Sequence, residues 1–156
     1  MKALYTLGFF LLAALFSSAQ GIYEENGLSY NKDGKLLNGR FIQESSEDQS
    51  KKVYNYQNGL LNGEFLIYAS NGNLLEKGYY ENGQKHGKWT SWTPEGIKTG
   101  DIAFNIGQKD GKWQIWDEKG VLRYVMFYEA GEKVGSWKVF ADNGNLVQEK
   151  DYTNSL

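Results

Sequence analysis

Tyr80-Glu81-Asn82-Gly83-Gln84-Lys85-His86-Gly87-Lys88-Trp89-Thr90-Ser91-Trp92 is the stretch that decides the fold. Asn-Gly between strand-like residues is a strong short-range hairpin signal, because tight two-residue turns need positive φ. The segment that follows, Gly87 to Thr93, is rich in aromatic and Thr residues and has no helical periodicity. Moving outward in both directions, the same pattern returns every 24 residues. Glycines recur at 59, 83, 107 and 131, then at 63, 87, 111 and 135, then at 72, 96, 120 and 144. Aromatic residues keep the period in three columns: Phe65, Trp89, Trp113 and Trp137; Tyr68, Trp92, Trp116 and Phe140; and Tyr56, Tyr80, Phe104, Tyr128 and Tyr152. An aliphatic column, Leu74, Leu122 and Leu146, is broken by Lys98.

A fixed period of this length is the signature of a repeat array. Two strand-length segments and two glycine-marked turns per period give one β-hairpin per unit. Consecutive hairpins are expected to pair edge to edge in an all-β, elongated antiparallel meander, an open and mostly single-layered sheet. Each unit can bury its apolar side only against its neighbours. The array is expected over residues 53–152, with a short tail at 153–156. Residues 20–52 read as an N-terminal cap with a degenerate repeat. Gly39 and Phe41 fall in register there, but Glu44 stands where an aromatic belongs and Asp48 where a glycine belongs.

Residues 1–19 read as a signal peptide. Lys2 precedes an apolar run from Leu4 to Phe16, and Ser17-Ser18-Ala19 offers small residues for cleavage after Ala19. The run is shorter than the roughly 20 apolar residues of a spanning helix. The expectation is a periplasmic or secreted protein with no integral membrane segment after cleavage. With no cysteine, the fold is not stapled by disulfides. The formal net charge is −2, and no run of Lys or Arg is present to follow a phosphate backbone or an anionic bilayer. Nucleic acid is not an expected partner.

The motif Tyr80-Glu81-Asn82-Gly83-Gln84-Lys85-His86-Gly87-Lys88-Trp89 resembles the bacterial variant of the MORN repeat. The resemblance covers about residues 53–152 and, weakly, 28–41. It implies an extended antiparallel sheet that serves as a binding or scaffolding surface. Some bacterial relatives are named as antitoxins, and eukaryotic MORN proteins are associated with membranes.

Catalysis needs titratable groups held in a cluster, and the chain offers little for one. His86 is the only histidine and reads as a solvated turn residue. Without a second His or any Cys, no metal site is expected, and no cofactor motif is present. Carboxylates such as Glu81, Glu95, Asp117 and Glu132 flank the turns.

Residues three apart on a strand point to opposite faces. The column Phe65, Trp89, Trp113 and Trp137 therefore shares a face with Ile67, Ile115 and Val139, the drier side and the expected core. Tyr68, Trp92, Trp116 and Phe140 lie on the other side beside Leu66, Thr90, Gln114 and Lys138. This second column either stacks across strands or forms an exposed ribbon for an extended partner. A bulge in the strand would move it to the core side. The first functional reading is a non-enzymatic protein–protein interaction or envelope scaffolding module. The alternative is a carbohydrate- or cell-wall-binding module, with another protein or a glycan as the respective partner. An antitoxin-like component of a toxin–antitoxin pair is a further alternative, drawn from the resemblance.

Overall fold

The computed structural model describes residues 21–153; the signal-peptide reading of residues 1–19 and the end of the tail lie outside them. A small hairpin, β1 (Tyr23–Glu25) and β2 (Leu28–Tyr30), precedes one long sheet. The sheet runs in chain order through β3 (Gly39–Glu44), β4 (Lys51–Gln57), β6 (Gly63–Tyr68), β7 (Leu74–Glu81), β8 (Gln84–Trp92) and β9 (Lys98–Asn105). It continues through β11 (Gly111–Trp116), β12 (Leu122–Glu129), β13 (Glu132–Phe140) and β14 (Leu146–Asp151). Two short strands, β5 (Leu60–Leu61) and β10 (Gln108–Lys109), extend β6 and β11 on the turn side. Every pairing is antiparallel and the sheet stays open, as the hairpin period predicts. Among the described residues there is no helix.

The two turns of each unit differ in kind. At Asn82-Gly83 both residues have positive φ, +47° and +82°, the conformation of a two-residue hairpin turn. The same geometry recurs at 58–59, 106–107 and 130–131. Ile106 (φ +44°) is the outlier, a β-branched residue in a region that ordinary side chains avoid. The turns at 71–72 and 143–144, also Asn-Gly, belong to longer loops. There Ala69 and Ala141 N–H groups donate to the carbonyls of Asn73 and Asn145, and only the glycine is left-handed.

Successive tight turns are stapled to one another. Gly83 N–H donates to Leu61 O (2.7 Å), Gly107 N–H to Lys85 O (2.8 Å) and Gly131 N–H to Lys109 O (2.8 Å). Side chains add to this. The N–H groups of Asn58, Ile106 and Ala130 donate to Asn38 Oδ1, His86 Nδ1 and Asp110 Oδ1, respectively. His86 is therefore a strand residue of β8 that holds the next turn, a correction to its reading as a solvated turn residue.

Each unit carries two irregularities, and both preserve the facing of its rings. Opposite Gly78, β8 carries three residues, Gly87, Lys88 and Trp89, because pairing passes from Lys77–Thr90 to Tyr79–His86. Gly87 takes φ +66° there. Two inserted residues leave the alternation of side chains unchanged. The second bulge lies on the partner strand, where pairing skips Leu75, Thr99, Arg123 and Val147 in successive units. Tyr68, Trp92, Trp116 and Phe140 therefore remain opposite to the first aromatic column.

The first and third columns interleave on one side, here termed the front face. Ring contacts run unbroken from Phe41 to Tyr152, with centroids 5.1 to 6.3 Å apart. Mostly edge-to-face or tilted packing lets each electron-poor ring edge meet a neighbour's face. Trp89 is 2% exposed, and Tyr56, Phe65, Trp113 and Tyr128 are also buried. The back face is not as polar as the alternation suggests: Val53, Leu66 and Val125 are buried on it, along one line of paired residues at the N-terminal end and one point near the other.

Buried phenols make the array sensitive to alkali. Burial pushes Tyr54 up to about 12 from its ordinary 10.0 and raises Tyr56 and Tyr80 as well. Because the folded state disfavours tyrosinate, this stabilisation is full below pH 10.0 and is lost as pH climbs through about 12. Unfolding followed by far-UV circular dichroism is expected within that window, with tyrosinate absorbance rising in step. Complete tyrosine ionisation near pH 10 with the sheet intact would show that the rings are solvated.

Candidate functional site

The structure places Tyr68, Trp92, Trp116 and Phe140 in one row across the back face. Each is the last residue of its strand before a long loop, and each pairs with the first residue of the next: Leu74, Lys98, Leu122 and Leu146. Rings therefore alternate with Leu or Lys along a line perpendicular to the strands. Strand neighbours lie about 4.8 Å apart, so the rings repeat every ~9.6 Å. All four are half-buried, and among the described residues no ring contact joins them to one another. The stacking that stabilises the sheet belongs to the front face.

Lys98 interrupts the row in the middle. Its ammonium lies 4.4 Å from the Trp116 ring centre and 3.4 Å from Asp101. At the N-terminal end the row opens onto a groove of about 650 Å³ between Arg40, Lys51, Val53 and Tyr68. The rest of the back face is tiled with exposed ion pairs: Lys77–Glu64 (2.7 Å), Lys88–Asp101 (2.9 Å) and Lys138–Glu149 (3.5 Å). Such surface pairs contribute little to stability, but they leave that face close to electrically neutral.

On the front face the glycines Gly63, Gly87, Gly111 and Gly135 all take positive φ, and the rings of Trp89, Trp113 and Trp137 follow two residues after the last three. Trp113 and Trp137 donate from Nε1 to the carbonyls of Ala103 (2.9 Å) and Phe127 (3.0 Å). Trp89 Nε1 is buried and has no partner among the described residues. Its ring instead lies against Gly78, the one position of its row without a side chain.

A column absent from the sequence reading lies on these rings. Lys85 sits 3.7 Å over Trp89, Lys109 5.0 Å over Trp113 and Lys133 4.6 Å over Trp137. Each also reaches the tyrosine-column ring of the next unit: Phe104, Tyr128 and Tyr152. The lysine stems cover the rings while the ammonium groups stay near water. The signal was present in the sequence as Leu61, Lys85, Lys109 and Lys133 at the common period.

No group of three or more His, Cys, Asp or Glu that could hold a metal exists among the described residues. The arrangement defines a linear β-hairpin repeat protein with two chemically distinct faces. Three of its units match the MORN repeat variant family, at residues 61–82, 109–130 and 133–154. The unit between them, which holds the Lys98 departure, keeps the same hairpin and register. No curated protein matches the chain. Repeats of this class are binding modules with no catalytic centre of their own.

Proposed function

We propose that the chain is an exported, non-enzymatic module that engages an extended polypeptide through the back-face row and serves as a scaffold in the cell envelope. The observation that carries this reading is the row itself. Tyr68, Trp92, Trp116 and Phe140 alternate with Leu74, Leu122 and Leu146 in an apolar strip broken once, at Lys98, on a face with no second layer among the described residues. Strips of aromatic side chains at even spacing suit a partner laid across the strands. Export rests on the leader-like segment at residues 1–19. The test is affinity capture from the native envelope with the mature chain and with its Trp92→Ala/Trp116→Ala variant. A protein retained by the first and lost by the second supports the proposal. Equal retention by both, or fractionation that leaves the chain in the cytoplasm, overturns it.

A further inference from the structure

The fold separates charge that the sequence mixes. Within the long sheet the register places Lys52, Lys85, Lys109, Lys133 and Lys150 on the front face against one strand carboxylate, Glu76, while Glu24 of the leading hairpin lies near enough to Tyr56 at the N-terminal end to raise its phenol. Glu76 lies 3.8 Å from Lys85. Among the described residues, Lys109 and Lys133 have no carboxylate within ion-pair distance. Lys85, Lys109 and Lys133 stand opposite Tyr80, Phe104 and Tyr128, so they form a straight file with one ammonium for every two strands. The interval is again ~9.6 Å. Lys150, opposite Trp137 on the neighbouring strand and 4.8 Å over Tyr152, adds a fourth cation beside the file and out of its line.

We infer that this file binds a linear carboxylated polysaccharide, one carboxylate to each lysine. The spacing selects the ligand. Duplex nucleic acid carries a charge about every 1.7 Å along its axis, so most of its phosphates would face no cation. An extended acidic peptide repeats a side chain on one side every ~6.7 Å and drifts out of phase within two lysines. One carboxylate per extended disaccharide matches the interval. A flexible lysine would be free to turn toward any anion. Here each ammonium is fixed over two rings, so the cations are already aligned when the ligand arrives. This face is separate from the back-face row, and the inference stands without the polypeptide-binding proposal.

Titration of the folded chain with hyaluronan oligosaccharides, followed by tryptophan fluorescence, tests the assignment, because Trp89, Trp113 and Trp137 lie under the lysines. Saturable binding is expected, and it should vanish near 1 M salt, where screening acts within about 3 Å. The variant Lys85→Gln/Lys109→Gln/Lys133→Gln is expected to lose at least roughly tenfold in affinity, and the matching triple arginine variant to keep most of it. Should the triple glutamine variant fail to fold, Lys109→Gln alone is expected to weaken binding severalfold. Three results would overturn the inference: no binding, unchanged affinity in the glutamine variants, or equal affinity for phosphatidylserine vesicles, single-stranded DNA, polyglutamate or a neutral chitin oligosaccharide.

Discussion

Trp89→Ala is expected to destabilise the array by about 3–5 kcal/mol, the range for removing a large aromatic from a packed interior. Trp89 is 2% exposed and is wedged between Phe65 (5.5 Å), Tyr80 (5.2 Å) and Phe104 (6.3 Å), with Lys85 above it. Its removal opens the ring chain at the middle of the sheet, where neighbouring units on both sides lose a partner. Burial of ~150–250 Å² at about 25 cal/mol/Å² sets an upper bound of ~4–6 kcal/mol. The unpartnered indole N–H lowers the net contribution, since a buried donor without an acceptor costs about 1–3 kcal/mol. Trp89→Phe is therefore expected to be much milder than Trp89→Ala. Trp92→Ala on the back face should cost less than half as much, because its ring is half-exposed and joins no ring chain. Urea denaturation of the three variants measures all of this. Equal losses for Trp89→Ala and Trp92→Ala would show that both columns are core.

Gly78→Ala is expected to be comparably damaging although it adds one methyl group. A Cβ at residue 78 would stand 2.2 Å from Trp89 Cδ2 and 2.3 Å from Cε2, inside the indole. Overpacking typically costs about 1–3 kcal/mol and occasionally more, and here the ring has little room to retreat between Phe65, Tyr80 and Phe104. A cost of at least ~3 kcal/mol follows. Coupling identifies the cause: in the Trp89→Ala background the same Gly78→Ala change should cost little, because the clash is gone. Additive losses would mean that residue 78 acts through its backbone instead. Gly100→Ala is the control. Its Cβ would meet Ser91 Oγ at 2.4 Å, and a small side chain can rotate away.

The hairpin period, the open meander and the opposed faces of the two Trp columns were legible because glycine and aromatic spacing report backbone reversal and side-chain alternation directly. The leading repeat was harder. Its loop, 45–50, is one residue longer than the later ones, and Gln49 (φ +56°) takes the left-handed position that glycine fills elsewhere. Asp48 accepts from Ser50 N–H, which holds its carboxyl down at about 2. Asp48 thus shapes the loop without replacing a glycine. The bulge opposite Gly78 is invisible in the sequence, since Gly87 opens a stretch that reads as one regular strand to Thr93 and nothing in its neighbours marks an insertion there. The cationic file was missed for a different reason. Along the chain Lys85, Lys109 and Lys133 are far apart, and only the register brings them into line. Lys88, one residue before Trp89, illustrates the converse, because it faces the back and is neutralised by Asp101.

The hydrogen bonds from Gly83, Gly107 and Gly131 back to the preceding unit make each hairpin seat on its predecessor in the same way. The molecule is in that sense a ruler whose graduations are whole hairpins. Loss or duplication of one complete period would change its span by ~9.6 Å and leave every remaining joint as it was. An insertion of any other length would shear the graduations and the two chemical scales engraved on them.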